Sequence, residues 1–246
     1  MFTFNKYIEI LEMLVSKGYK IQHFDAPYSL SGVLYLRHDI DCDPFKALQL
    51  ARLEKEHNLC STYFFQIDSD FYNLFAKENQ KILHFIARMG HRIGLHISPD
   101  YCTNLKELSL YIQTTHNYLT KLNLPCDPIF SFHRPGSFTG WERITIPNFL
   151  NVYSDEYFKK IKYVSDSNRR RFWETSLPEI LNNEQAKSIQ LLTHPIWWDV
   201  EELSPLEISY LLKNRTFSQL QKALKENIKL YKNIFQNYND IEEELI

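Results

Sequence analysis

The sequence has little of what marks several specialised classes of protein. Among its 246 residues are only 6 glycines and 10 prolines, and no stretch is enriched in glycine, serine or proline as a flexible linker is. No internal repeat and no low-complexity segment is present. We therefore predict one domain over residues 1–246, a length that allows a large buried core.

An excess of basic residues is also missing. Lys and Arg total 28 against 30 Asp and Glu, which gives a formal net charge of -2. Nucleic-acid-binding proteins usually carry a concentrated positive patch, and the one basic run here, at residues 169–171, is short. The composition therefore predicts no nucleic-acid partner.

Long apolar runs and paired cysteines are absent as well. No segment approaches the roughly 20 apolar residues that span a bilayer, and the first twenty residues lack the apolar core and cleavage site of a signal peptide. The four cysteines form no CxxC pair, which argues against a disulfide framework or a cysteine-built zinc site. We expect a cytoplasmic protein without a transmembrane segment.

Short apolar runs alternate along the chain with helical patterns. An amphipathic helix is predicted over residues 4–18, another over 70–89 with Asp70 as its cap, and a helical tail over 204–246. Strand-like runs lie at 33–36, 61–66, 93–96, 129–133, 151–153, 163–165 and 188–194. Strands that alternate with helices of ten or more residues predict an α/β fold with a parallel sheet.

Polar side chains follow four of these strands. Asp39 and Asp41 end the first, and His96, His133 and His194 each end a later one. The carboxyl ends of parallel strands meet at one edge of a sheet, where α/β folds build their active sites. This repeated placement predicts a functional site at that edge.

Asp39 and Asp41 lie two residues apart on an extended chain, so they point toward the same site. Two neighbouring carboxylates repel each other, and a cation beside them is expected. The functional interpretation is that one of these carboxylates is a metal ligand and the other is a general base. The structural alternative is capping: Asp43 before Pro44 can cap the next helix, and Asp41 could serve the turn.

His96 and His133 are candidate partners for this cation, because imidazole and carboxylate together form ordinary sites for Zn²⁺. Asp100, four residues after His96, could reach the same ion. Arg134 could hold a carboxylate in a bidentate fork, or lie on a surface loop.

The last strand ends in His194-Pro195-Ile196-Trp197-Trp198. A histidine with a pKa near neutrality can protonate a leaving group. The adjacent indoles of Trp197 and Trp198 could bind a sugar ring or fill the core, and at least one is expected to face a groove. Asp166 follows another short apolar run, where a turn role is the alternative.

The order and spacing of these residues resemble the polysaccharide deacetylases, the NodB-homology domain of carbohydrate esterase family 4, from about Val33 to Trp198. The resemblance implies a distorted or incomplete (β/α) barrel with roughly seven parallel strands and one divalent ion, most commonly zinc. It makes Asp39 the base and Asp41 a metal ligand. It likewise makes His96 a ligand, His194 the general acid, and Asp166 the carboxylate that tunes this acid.

Two positions depart from the family pattern. The second metal-binding histidine is expected four residues after His96, where this chain has Asp100, and the family's Phe-Arg-x-Pro motif is replaced by Phe132-His133-Arg134-Pro135. We expect His133 to complete the metal site with Arg134 in a supporting role, or else Asp100 to be the third ligand.

The resemblance implies a metal-dependent hydrolase that removes an N-acetyl or O-acetyl group from a carbohydrate. A nucleotide sugar, a lipid-linked oligosaccharide or another glycan precursor is the expected partner, in surface-glycan biosynthesis such as that of O-antigen or capsule. An amidohydrolase of the same fold acting on a non-sugar amide, and an inactive glycan-binding relative, are the alternatives.

Overall fold

The computed structural model describes residues 1–135, 144–182 and 187–231. Contacts group the chain into two units, one over Met1–Glu202 and one that begins at Leu203. Of the helical tail predicted over residues 204–246, Pro205–Asn227 forms a helix, and residues 232–246 lie outside the described residues. Across the described residues, no helix has the length and apolarity needed to cross a membrane.

The elements follow the predicted alternation of strand and helix. The helices are α1 (Phe4–Ser16), α2 (Pro44–Glu56), α3 (Lys77–Arg88), α4 (Leu105–Lys121), α5 (Ser176–Leu181) and α6 (Pro205–Asn227). The strands are β1 (Lys20–Gln22), β2 (Val33–Ile40), β3 (Thr62–Phe65), β4 (Arg92–Ile97), β5 (Ile129–Phe132), β6 (Leu150–Asn151), β7 (Lys162–Ser165) and β8 (Ile189–Thr193).

The strands of the first unit form one parallel sheet. Seven of them pair in the order β6-β5-β4-β3-β2-β8-β7, and β1 adds to β2 beside β3. Within the described ranges the path ends at β6 and β7, which do not pair with each other. The predicted α/β fold with seven parallel strands and an incomplete (β/α) barrel is therefore confirmed.

Local signals set the helix boundaries. Thr3 caps α1 by accepting the Lys6 N–H, and Asp43 caps α2 by accepting the Phe45 N–H. The capping role expected for Asp43 is therefore confirmed. The prediction that a helix starts at Asp70 is wrong: α3 begins at Lys77, because the intervening residues form turns.

Strand β2 lies at the centre of the sheet and is buried along its whole length. Val33 and Tyr35 pack into one apolar core, and Leu34 and Leu36 pack into a second core. Successive side chains of a strand point to opposite faces, so a strand covered on both faces becomes apolar at nearly every position. Because the apolar side chains on both faces of β2 are buried, the face on which each charged side chain near its end lies is fixed as well.

A buried polar network lies behind this strand and is centred on Glu54 of α2, which has no exposed surface. One carboxylate oxygen accepts from the Tyr7 hydroxyl at 2.5 Å and lies 2.8 Å from His38 Nε2. The other accepts from the hydroxyls of Ser61 and Tyr63, each at 2.7 Å. Burial alone would raise the pKa of Glu54, but His38 and the hydroxyl donors lower it to about 2.

Glu54→Gln is expected to lower the free energy of unfolding by about 3 kcal/mol, because an amide cannot accept from all four donors. Since the folded pKa of Glu54 lies below its unfolded value of about 4.3, its stabilisation is present above that value and is lost as pH falls toward 2. Urea unfolding at neutral and acidic pH measures both effects. The exposed Glu56→Gln on the same helix is the control, and equal losses in the two variants would contradict the assigned role.

Candidate active site

The predicted functional residues meet at the carboxyl edge of the sheet. Asp39 lies in β2 with Asp41 directly after it, His96 lies in β4, and His133 and His194 directly follow β5 and β8. Strand β8 pairs directly with β2, and β4 and β5 lie two and three positions from β2 on its other side. The carboxyl ends of these strands therefore lie along one edge of the sheet. The parallel order thereby assembles residues that are up to 155 positions apart, such as Asp39 and His194.

Three of the side chains form a compact donor set. His96 Nε2 and His133 Nδ1 lie 3.1 and 3.2 Å from the same carboxylate oxygen of Asp41. One potential ligand atom from each residue lies within 4.8 Å of the others. Two imidazole nitrogens and one carboxylate oxygen are a donor set suited to Zn²⁺ or a similar divalent ion.

A neighbouring hydroxyl orients His96. Its Nδ1 lies 2.7 Å from Ser131 Oγ of the adjacent strand β5, which leaves Nε2 directed at Asp41. A hydrogen-bond partner on the far ring nitrogen is the usual way a metal-binding histidine is held in one tautomer.

Gly94 lies in the same strand as His96 and packs closely against Phe64. A Cβ at this position would lie 2.6 Å from the Phe64 ring, which explains the glycine in the Ile-Gly pair before Leu95-His96.

Asp100 lies outside this donor set but lines a cavity that Asp41 and His133 also line. The cavity has a volume of about 270 Å³. Its other lining residues are Cys42, Gln66, Asp68, Asp70, Phe71, Ser98 and Arg134. The geometry therefore brings together the first of the two predicted ligand sets, Asp41 with His96 and His133.

Asp39 is held by a bidentate ion pair with Arg37 of the same strand. Arg37 Nε and Nη2 donate to its two carboxylate oxygens at 2.9 and 2.7 Å. Arg37 is fully buried, donates also to Gln190 Oε1 at 3.1 Å, and lies 4.4 Å from the Tyr153 ring centre. Burial alone would raise the pKa of Asp39, but the Arg37 guanidinium lowers it, so the carboxylate is ionised at neutral pH.

The role of Arg134 stays a prediction. The sequence allowed Arg134 either to hold a carboxylate in a bidentate fork or to lie on a surface loop, and in the structure the fork on Asp39 is supplied by Arg37. Arg134 is exposed, has a positive φ of 48°, and lines the cavity beside His133. An Arg two residues before Asp39 points to the same face of β2, and this period of two is the signal by which Arg37 could have been found.

His194 and Asp166 form a second pair at the same edge. His194 Nδ1 lies 2.6 Å from Asp166 Oδ1, and the His194 backbone N–H also donates to this carboxylate. The other ring nitrogen, Nε2, lies 3.8 Å from Asp41 Oδ2 and so faces the donor set. Burial alone would lower the pKa of His194, but the charge of Asp166 raises it to about 9.

Trp198 supports this pair from the core. It has no exposed surface, and its indole N–H donates to Asp166 Oδ2 at 2.9 Å. A ring without exposed surface offers no face to a sugar, so the expectation that Trp198 contacts substrate is corrected. Trp197 is half-buried, and substrate contact remains a prediction for this ring alone.

In the metal-free protein, the imidazole of His194 is expected to titrate near pH 9, and Asp166→Asn is expected to move its pKa toward the ordinary value of about 6.5. The raised pKa means that the pair stabilises the fold below about pH 6.5 and loses this contribution as pH rises through about 9. Side-chain NMR of the histidines measures the titration. An unchanged His194 pKa in Asp166→Asn would show that another group holds the proton.

No family model and no curated protein matches the sequence. The chitin deacetylase of the fungal pathogen Colletotrichum lindemuthianum is similar in structure at 13% identity, over 78% of this chain and 84% of that one, with a TM-score of 0.45. The Bc1960 peptidoglycan N-acetylglucosamine deacetylase gives 20% identity, over 77% and 85% of the two chains, and the same TM-score of 0.45.

Proposed function

We propose that this protein is a metal-dependent deacetylase that removes an N-acetyl or O-acetyl group from a carbohydrate. The observation that carries the proposal is the convergence of the Asp41, His96 and His133 donor set with His194, whose Nε2 faces Asp41. A donor set, an ionised carboxylate and a protonated imidazole at one strand edge are the groups that amide hydrolysis requires.

Asp41, His96 and His133 would hold the ion. When bound, a divalent ion such as Zn²⁺ supplies Lewis acidity toward an acyl carbonyl oxygen and a water molecule. Three protein ligands of these types would suit a catalytic zinc ion, which also binds water or substrate. Ser131 keeps His96 oriented for this role through its contact with Nδ1.

Asp39 would act as the general base. Arg37 keeps it ionised; Oδ1 accepts from both Arg37 and the Ser131 hydroxyl, and Oδ2 retains a second lone pair beyond the one that accepts from Arg37. Asp39 thus can accept the proton of the water that attacks the acyl carbon. The lowered pKa makes Asp39 a weak base, and an ion held by Asp41, His96 and His133 would supply the Lewis acidity that lowers the pKa of the water.

His194 would act as the general acid. At neutral pH it carries the proton that Asp166 stabilises, and it can donate this proton from Nε2 to the departing nitrogen or oxygen. Asp166 is itself fixed by the Trp198 indole N–H. This arrangement directs His194 Nε2 at Asp41 of the donor set.

The substrate proposed is a nucleotide sugar, a lipid-linked oligosaccharide or another glycan precursor of surface-glycan biosynthesis. A cytoplasmic setting belongs to this proposal, and four cysteines without a disulfide are compatible with a reducing compartment. The half-buried Trp197, close in sequence to His194, is the ring proposed to contact the sugar.

Release of acetate from a panel of acetylated carbohydrates and small non-sugar amides tests the activity. We expect the zinc-loaded protein to deacetylate at least one carbohydrate, and His96→Gln to be inactive on the same compound, which excludes a contaminating enzyme. Turnover of the non-sugar amides alone would assign an amidohydrolase of another substrate class. Sugar binding without any turnover would identify an inactive glycan-binding relative.

A further inference from the structure

A second cavity lies at the opposite edge of the sheet from the donor set. It has a volume of about 370 Å³ and is bordered by the first residues of four consecutive strands, Thr62, Arg92, Ile129 and Leu150. Phe24, Asp25, Asp127, Pro128, Asn148 and Phe149 complete its lining. None of these residues takes part in the chemistry proposed above, and the volume lies at the lower end of the range for small-molecule sites.

One buried polar atom of the lining has no hydrogen-bond partner among the described residues. It is Oγ1 of Thr62, a residue without exposed surface. Buried polar atoms are nearly always satisfied, and an unpaired one costs free energy. An unpaired hydroxyl in the lining of the cavity indicates a place for a polar partner.

The charges at the rim disfavour an anionic partner. Arg92 lies 2.5 Å from an oxygen of Asp25 and 3.6 Å from an oxygen of Asp127, so its guanidinium is already paired. The second Asp127 oxygen accepts the Ile93 N–H at 3.2 Å. Two carboxylates against one guanidinium leave one negative charge, which repels phosphates and carboxylates.

The remaining chemistry fits a sugar ring. Phe149 is half-buried and presents an apolar ring, which can pack against the C–H face of a pyranose. Asp25, Arg92 and Asn148 supply acceptors and donors of the kind that pair with neighbouring hydroxyls. We propose that this cavity is a second carbohydrate site, which binds one neutral sugar residue at the amino edge of the sheet. The proposal does not depend on the deacetylase activity.

NMR titration of the full chain with N-acetylglucosamine, and in parallel with glucuronate, tests the site. We expect N-acetylglucosamine to bind, glucuronate to bind more weakly, and Phe149→Leu to weaken N-acetylglucosamine binding by about 5-fold or more. Asp25→Asn is expected to weaken it as well, and because Asp25 is mostly exposed, this variant tests the site even if Phe149→Leu is unstable.

Phe71→Leu is the matched control, because Phe71 is the exposed ring that lines the cavity beside Asp41. It should leave this binding unchanged. The proposal is overturned if N-acetylglucosamine does not bind, if glucuronate binds as tightly, or if binding responds to Phe71→Leu but not to the two variants at the amino edge. His96→Gln removes a proposed metal ligand. If N-acetylglucosamine binding is unchanged in this variant, the second site is independent of the proposed active site.

Discussion

His133→Ala is expected to weaken Zn²⁺ binding by more than about 100-fold, whereas Asp100→Ala should bind the ion as the wild type does. Loss of groups that merely orient a metal ligand costs about 10- to 100-fold in affinity, so loss of the ligand itself should cost more. His133 Nδ1 lies 3.2 Å from the Asp41 oxygen that also contacts His96, and Asp100 is outside this set.

Metal analysis after dialysis, followed by competition with a chelator of known affinity, measures this effect. The wild type should hold about one divalent ion per chain. If Asp100→Ala lost the ion and His133→Ala retained it, the third ligand would be Asp100, the alternative that the sequence left open. Failure of the wild type to take up added zinc would contradict the metal site itself.

Asp39→Asn is expected to retain the ion and to lower kcat by about 100- to 10,000-fold, the usual contribution of a general base. The variant should also be less stable, by about 3–5 kcal/mol, because it leaves the buried Arg37 guanidinium without its counter-charge. Loss of turnover in this variant alone therefore has two explanations, one chemical and one structural.

The double variant Arg37→Gln/Asp39→Asn separates them. Removing both charges leaves no unpaired ion in the core, so unfolding experiments should show that part of the stability is regained. Turnover should stay at the level of Asp39→Asn, since the base is still missing. Recovery of turnover together with stability would mean that Asp39 is a structural partner of Arg37 and that the base is another group.

Much of the fold and of the site follows from local sequence patterns. The alternation of apolar runs and helical segments predicted the parallel sheet, and polar residues after the strands predicted the edge at which Asp41, His96, His133 and His194 meet. Both inferences depend on periodicity and on residue type alone. They succeed because a parallel sheet brings the ends of its strands to one edge, whatever the loops between them do.

Other features depended on contacts between residues far apart in sequence. The position of Asp70 before an amphipathic stretch predicted a helix start, yet α3 begins at Lys77, because local capping preference is weak against tertiary packing. Nothing in the sequence indicated which of the adjacent indoles, Trp197 or Trp198, is buried in the core. Trp198 is buried because its N–H reaches Asp166, 32 positions earlier in the chain.

The fold class and the residue types of the site can be inferred from the sequence, because hydrophobic period and chemical functionality are local properties. The pairings between side chains depend on the tertiary structure: Arg37 holds Asp39, and His133 rather than Asp100 joins Asp41 and His96. Such choices are set by distances of a few ångströms between side chains on different strands and loops. Sequence spacing does not encode those distances, because strand register and the burial of each face fix them only when the sheet assembles.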